Sequence, residues 1–292
     1  MTGPVRLPLP RQLRTVFISD IHLGSRNCHA HALAAFLAGL SCDRLYLVGD
    51  IVDLWWMSRA RTAWQHDHTL IVERLHAMAK AGTELVYIPG NHDRPIRRFV
   101  GLGLPGVRVR RRAIHRTADG KRLLVTHGDE FDAITHFGGW QERLGDLLYT
   151  AILAGNRVTN RLRRALGLRY WSMAEFLKRR SAAAERYIER YVHACVADAR
   201  RRGLDGILSG HIHRPSLTKV EGMIYANDGD WVESLTAITE DRDGALSLVR
   251  WNGAVETLVT LAPRLVLVPP GEARAARAAP GAAPTRRPAR SE

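Results

Sequence analysis

The chain has 292 residues, 46% of them hydrophobic, with a formal net charge of +14; that suits one large α/β domain carrying an insertion, or two domains, with ample material for a core. Its three cysteines, Cys28, Cys42 and Cys195, are odd in number and form no C-x-x-C pair, no apolar run approaches the ~18 residues needed to span a bilayer, and residues 1–14 hold no apolar signal region, so a disulfide framework, a membrane-spanning helix and a signal peptide are all disfavoured. The expected setting is reducing and cytoplasmic, and the positive charge favours anionic partners (nucleic acid, acidic lipid or a phosphorylated substrate) without choosing among them.

Residues 15–19 read as a buried strand ending at Asp20, and residues 30–40 have helical spacing through Leu33, Phe36, Leu37 and Leu40. A second strand, 45–48, stops at Gly49-Asp50-x-x-Asp53. Residues 64–80 predict a helix with Leu70, Val72, Leu75 and Met78 near one face, closed by Ala81-Gly82. The strand at 84–88 leads into Pro89-Gly90-Asn91-His92-Asp93. This alternation of strand and helix argues for a layered α/β fold. Residues 108–112 form a basic knot, and a strand at 121–126 ends at His127-Gly128-Asp129.

Residues 135–202 are almost wholly helical by pattern. Leu144, Leu147, Leu148, Ala151 and Ile152 share a face, and Ser172-x-x-Glu175 is a capping box ahead of a helix of roughly thirty residues that Gly203 ends. Its stripe is Leu177, Ala184, Tyr187, Ile188, Tyr191, Val192, Cys195 and Val196. An insertion between two loops rich in metal-ligand residues is placed to act as a lid. The strand at 206–209 ends at Gly210-His211-x-His213. The runs MIYANDGDW, LTAIT, ALSLVRW and ETLVTL then read as the antiparallel part of a second sheet. Residues 271–292 are Ala, Pro, Arg and Gly and are expected to be disordered.

The donors at these strand ends are Asp20, His22, Asp50, Asn91, His127, His211 and His213. Oxygen and nitrogen ligands without a thiolate suit Mn²⁺, Fe²⁺ or Zn²⁺ better than Ca²⁺. Seven are too many for one ion with an open position and about right for two ions that share Asp50. Such a pair, roughly 3.5–4 Å apart, polarises a phosphoryl oxygen and supplies a hydroxide for in-line attack. His92 is placed to give a proton to the leaving oxygen. Asp93 and Asp129 stand behind the ligands, Asp93 as a carboxylate that orients a histidine. In Asp20-x-His22 and His211-x-His213 an extended backbone would send both side chains to one side. Asp53 has no seat among the ligands and reads as a supporting or turn residue.

The run D-x-H, G-D-x-x-D, G-N-H-D, H-G-D, G-H-x-H resembles the calcineurin-like metallophosphoesterase superfamily over residues 15–250. The resemblance implies a sandwich of two mixed sheets flanked by helices, here a domain of residues 14–268 with a helical cap at 135–202. It also implies a binuclear centre. One ion would take Asp20, His22, Asp50 and His213, the other Asp50, Asn91, His127 and His211, with His92 as general acid. Mn²⁺ is the typical ion there, with Fe or Zn as alternatives.

Within that superfamily the helical insertion, with HGDEFD, YWSMAEFLK, GHIHRP and NDGDWVES, is similar to the second subgroup of UDP-2,3-diacylglucosamine diphosphatases. These act in lipid A synthesis at the inner membrane face, so the implied products are UMP and lipid X and the implied location is peripheral, on the cytoplasmic side. Arg157, Arg161, Arg164 and Trp171 are then candidate substrate contacts. Lys178-Arg179-Arg180 and Arg200-Arg201-Arg202 are candidate faces for anionic headgroups. The main subgroup carries Arg where this chain has His92, which leaves open a phosphoesterase acting on another phosphodiester or phosphomonoester, such as a phospholipid or nucleotide. No nucleic-acid motif accompanies the basic residues, so specific nucleic-acid binding is not expected.

Overall fold

Along β1 (Leu13–Ile18), Val16 and Ile18 belong to one apolar cluster and Phe17 to another, and all three are buried. The same split recurs in β2 (Cys42–Leu47), between Leu45 and Leu47 on one side and Tyr46 on the other. In β7 (Arg122–Val125), Leu124 faces away from Leu123 and Val125. Strands apolar on both faces must be covered on both. The computed structural model, which describes residues 12–59, 64–104, 106–132 and 182–263, satisfies that demand with four layers.

In the first sheet β1, β2, β3 (Glu84–Tyr87) and β5 (Val107–Val109) run parallel. β4 (Gly103–Leu104) lies antiparallel at one edge. β11 (Thr236–Glu240), β12 (Leu246–Trp251) and β13 (Val255–Leu261) continue antiparallel beyond β1. In the second sheet β7, β8 (Gly206–Ser209) and β10 (Met223–Asn227) are parallel, edged by β6 (Ala113–Arg116) and β9 (Ser216–Val220). The two mixed sheets flanked by helices that the sequence motifs imply are present.

Helices α1 (Ala30–Ala38) and α3 (His66–Lys80) cover the first sheet, with Leu33, Phe36, Ile71 and Leu75 in the cluster that holds Val16, Leu45 and Leu85. Between the sheets Phe17, Tyr46 and Val86 meet Leu123, Val125 and Leu208, and the Phe17 and Tyr46 rings stack at 4.8 Å. Helix α4 (Ala182–Arg201) covers the second sheet, packing Tyr191, Cys195, Val196 and Ala199 on Leu124, Ile207 and Tyr225. Burial of each such side chain contributes about 1.5–3 kcal/mol.

Three expectations change. First, β11, β12 and β13 join the first sheet, not the second. β10 is already flanked by β8 and β9, whereas β1 has a free edge, and the pairing Phe17↔Ile238 puts Ile238 into the inter-sheet cluster. Second, Leu70 and Val72 are 37% and 46% exposed; the buried stripe of α3 is His68, Ile71, Leu75 and Met78, which keeps the 3–4 spacing more closely.

Third, of the predicted insertion at 135–202, residues 135–181 lie outside the described residues, and the 20 residues of α4 belong to the sandwich rather than to a lid. Tyr191, Cys195 and Val196 are buried as the stripe predicts; Leu177 and the tail 271–292 lie outside the described residues. Several residues of the basic stretches have acidic partners within the chain. Arg108 pairs with Glu84 and Arg112 with Glu130, while Arg200 pairs with Glu221 and Arg201 and Arg202 with Asp198. Lys178-Arg179-Arg180 falls outside the described residues.

Candidate metal centre

Every candidate ligand, and His92, leaves the carboxyl end of a parallel strand. Asp20 and His22 follow β1, Asp50 follows β2, Asn91 and His92 follow β3, His127 follows β7, and His211 and His213 follow β8. The backbone is left-handed at Asp20, His22, Asp50, His211 and His213, with φ from +50° to +70°. Non-glycine residues held there cost of order 1–3 kcal/mol each and cluster at functional sites. This corrects the extended geometry expected for D-x-H and H-x-H. A left-handed residue on either side of Ile21 curls the chain, and the curl is tied to the next loop by Asp20 N to Gly49 O and His22 N to Asp50 O, at 3.0 and 2.9 Å.

Each carboxylate has one oxygen held by protein and one turned to the centre. Asp20 Oδ2 accepts from Ser19 Oγ at 2.5 Å and His211 N at 2.9 Å, while Oδ1 lies 3.0 Å from His213 Nε2. Asp50 Oδ1 accepts from His92 N at 2.8 Å, while Oδ2 lies 3.4 Å from His127 Nε2. His22 Nε2 is buried without a hydrogen-bond partner, 4.0 Å from both Asp20 Oδ1 and Asp50 Oδ2. That is too long for a hydrogen bond and about twice a metal–ligand distance. The donor atoms of Asp20, His22 and His213, of His22, Asp50 and His92, and of Asp20, Asp50 and His127 form three groups, each within 4.8 Å. His127 Nε2 is also 3.1 Å from Asn91 Oδ1, and its ring lies 5.1 Å from that of His211. The residues present fit divalent ions: Asp20, His22, Asp50, His127 and His213 fall in these groups, Asn91 stands beside His127, and His211 falls in none of them but lies against the His127 ring.

Two glycines make this approach feasible. Gly49 has φ +86°, and a Cβ there would strike the His127 ring; one on Gly90 would strike Asp50 Oδ1.

The histidines are aimed from behind. His22 Nδ1 and His92 Nδ1 share the two oxygens of Asp53 at 3.0 and 2.9 Å, and His127 Nδ1 donates to Val48 O at 2.9 Å. Asp53 also caps α2 (Leu54–Met57) by accepting from Trp56 N. Asp53, not Asp93, is therefore the carboxylate that orients histidines. Asp93 instead accepts from Ile51 N, Gly90 N and Tyr87 OH, which fastens the Asp50 loop to the Asn91 loop. Asp129 pairs with Arg97, which also reaches Pro89 O.

Asp132 and Asp230 escaped the sequence reading. Asp132 bonds His211 Nε2 at 2.7 Å, and Asp230 Oδ2 faces His213 Nδ1 at 3.9 Å. The acidic residues of HGDEFD and NDGDW were the signal available for both. Arg157, Arg161, Arg164 and Trp171 lie outside the described residues.

Burial alone would push the Asp20 and Asp50 carboxyls up, but facing His213 and His127 outweigh it and hold both below the usual range. Burial likewise opposes the charged Asp53, whose bonds to His22 and His92 hold it low. Burial would lower His127 and His92; Asp50 and Asp53, respectively, outweigh it and raise them. Behind Asp20, burial pushes Asp228, whose carboxyl shares Ser19 Oγ at 2.7 Å, well up. The result is a pair of carboxylates held low and faced by imidazoles.

The calcineurin-like phosphoesterase family model matches residues 13–215. The UDP-2,3-diacylglucosamine hydrolase of Xanthomonas campestris pv. campestris is 28% identical over 257 residues, covering 80% of this chain and 97% of that protein. That of Aromatoleum aromaticum is 26% identical over 254 residues, covering 83% and 94%. Among solved structures, Yfce, a phosphoesterase from E. coli, is 17% identical with a TM-score of 0.46, covering 86% of this chain and 99% of that one.

Proposed function

The chain belongs to the calcineurin-like phosphoesterase family, and from that membership we propose that it cleaves the diphosphate of UDP-2,3-diacylglucosamine to UMP and lipid X at a centre of two divalent ions. Metal-dependent phosphoester hydrolysis follows from the family and from the hydrolase-named relatives. The metal reading is carried by His22 Nε2, buried 4.0 Å from each of two inward carboxylate oxygens, and a second ion is supported by the neighbouring group of Asp20, Asp50 and His127. The substrate reading is supported by relatives of that name over four-fifths of the chain.

Asp20, His22, Asp50 and His213 would hold one ion and Asp50, Asn91, His127 and His211 the other, with Mn²⁺ the first choice and Fe or Zn next. Bound there, the ions would supply Lewis acidity to the phosphoryl group and activate water for in-line attack. Asp53 stabilises the protonated His92 ring through Nδ1 and leaves Nε2 to give a proton to the leaving oxygen. Asp50 keeps His92 in place through the His92 backbone N. A lipid substrate implies work at the cytoplasmic face of a membrane; no helix among the described residues is long and apolar enough to cross one.

Protein loaded with Mn²⁺ is expected to release UMP from UDP-2,3-diacylglucosamine, read by phosphorus NMR or chromatography. No turnover there, alongside brisk hydrolysis of bis(p-nitrophenyl) phosphate, would transfer support to a phosphoesterase of smaller esters. The poised His92–Asp53 pair favours that second reading, and a panel of phosphodiesters and monoesters separates the two.

A further inference from the structure

We propose that Asp132 is a positioning residue for His211: held in turn by Tyr187 of α4, it presents Nδ1 of that imidazole, rather than Nε2, to the second ion. The proposal rests on the two-ion reading above. Asp132 follows the short 3-10 turn Asp129–Phe131 that leaves His127 and Gly128. Its Oδ2 is 2.7 Å from His211 Nε2, and its Oδ1 accepts from Tyr187 OH at 2.7 Å. A carboxylate beside one ring nitrogen favours the tautomer with the proton on that nitrogen, which leaves the lone pair on Nδ1.

His22 and His127 are arranged the opposite way. Their Nδ1 atoms are engaged by Asp53 and Val48 O, so Nε2 faces the centre. His211 alone among these three is turned over, and its backbone is held, with φ at +70° and its N donating to Asp20 Oδ2 at 2.9 Å, while rotation of the ring about χ2 is left to be fixed. The ring must then be fixed from outside, and α4 does this twice. Tyr187 bonds the carboxylate, and the buried Tyr191 ring lies 6.2 Å from the His211 ring. Two residues before Tyr187, Glu185 pairs with Arg214 at 2.7 Å. That contact tethers the same loop to α4 without touching a ligand, so it separates positioning from tethering.

The test is calorimetric titration with Mn²⁺ of wild type, Asp132→Ala, Tyr187→Phe and Glu185→Gln, with long-range ¹⁵N–¹H NMR of the histidine rings in the metal-free proteins. Wild type is expected to bind two ions with the His211 proton on Nε2. Asp132→Ala should lose about 10–100-fold in affinity for the second ion only and show a mixed or reversed His211 tautomer. Tyr187→Phe should lose less, with Glu185→Gln unchanged. If Asp132→Ala does not fold, Tyr187→Phe decides: an unchanged second affinity overturns the proposal. So does an Asp132→Ala protein with wild-type affinities and tautomer, or a Glu185→Gln loss as large as that of Asp132→Ala. Fewer than two ions in wild type would overturn the two-ion reading itself. In that event the tautomer still decides on Asp132, a change on substitution upholding its role and no change removing it.

Discussion

Among the described residues, two clusters of buried carboxylate and imidazole lie in this sandwich, and one of them is built like a site. In the first, between the sheets, Glu240 of β11 has both oxygens saturated. Oε1 accepts from Arg14 Nη1 at 2.6 Å and Ala118 N at 2.8 Å, and Oε2 from Arg14 Nη1 at 2.8 Å and His115 Nε2 at 2.9 Å. Glu240 and His115 sit in strands, without positive φ. In the second, at the strand ends, Asp20, His22, Asp50 and His213 have left-handed backbones, and His22 Nε2 approaches the inward oxygens of Asp20 and Asp50 without closing on either. Burial and charge are common to both. What separates a clamp from a candidate metal centre is whether the donors complete one another or leave room for something between them.

Substitutions sharpen that contrast. Asp50→Ala removes the carboxylate shared by two of the three donor groups, so it is expected to lower kcat on the order of 10³-fold or more and to deplete both ions. Metal analysis beside the rate checks this; retention of two ions would break the assignment of Asp50 as the bridge. His92→Ala should lower kcat by about 10²–10³-fold while both ions stay. Loss of metal in that variant would make His92 a ligand and not an acid. Asp53→Asn loosens His22 and His92 together, and is expected to cost about 10–100-fold in metal affinity at the His22 site along with some kcat. An effect on kcat alone would assign Asp53 to His92 only.

The same contrast explains what the sequence could reveal. The candidate ligands are legible because each follows a strand within two to four residues, in D-x-H, G-D, G-N-H-D, H-G-D or G-H-x-H. Local spacing therefore encodes the site. Asp132 is 79 positions from His211, and Glu240 is 226 from Arg14 and 125 from His115. No local pattern carries such pairs, and only the closed sandwich brings them together. Strand character at β11, β12 and β13 was readable from alternation, but the choice of sheet was not, because it depended on the free edge of β1. The stripe of α3 was misassigned at Leu70 and Val72 because an apolar residue next to the true face looks, in sequence, like part of it.

The smallest expected effect on activity comes from the clamp. Glu240→Gln keeps the shape but removes the charge that answers Arg14, and it should leave kcat and metal content unchanged while costing about 3 kcal/mol at neutral pH. Burial pushes the Glu240 carboxyl up, but its bond to His115 outweighs this and holds it below the ordinary value of 4.5. A carboxyl depressed in the folded state stabilises above its unfolded pKa, and that contribution is lost as pH falls through the folded one. The stability gap between wild type and Glu240→Gln, measured by urea unfolding, should therefore be full at pH 7 and shrink as the pH drops below about 4.5. A gap that stayed constant with pH would mean that Gln fails by geometry, and that the two buried clusters differ in packing more than in charge.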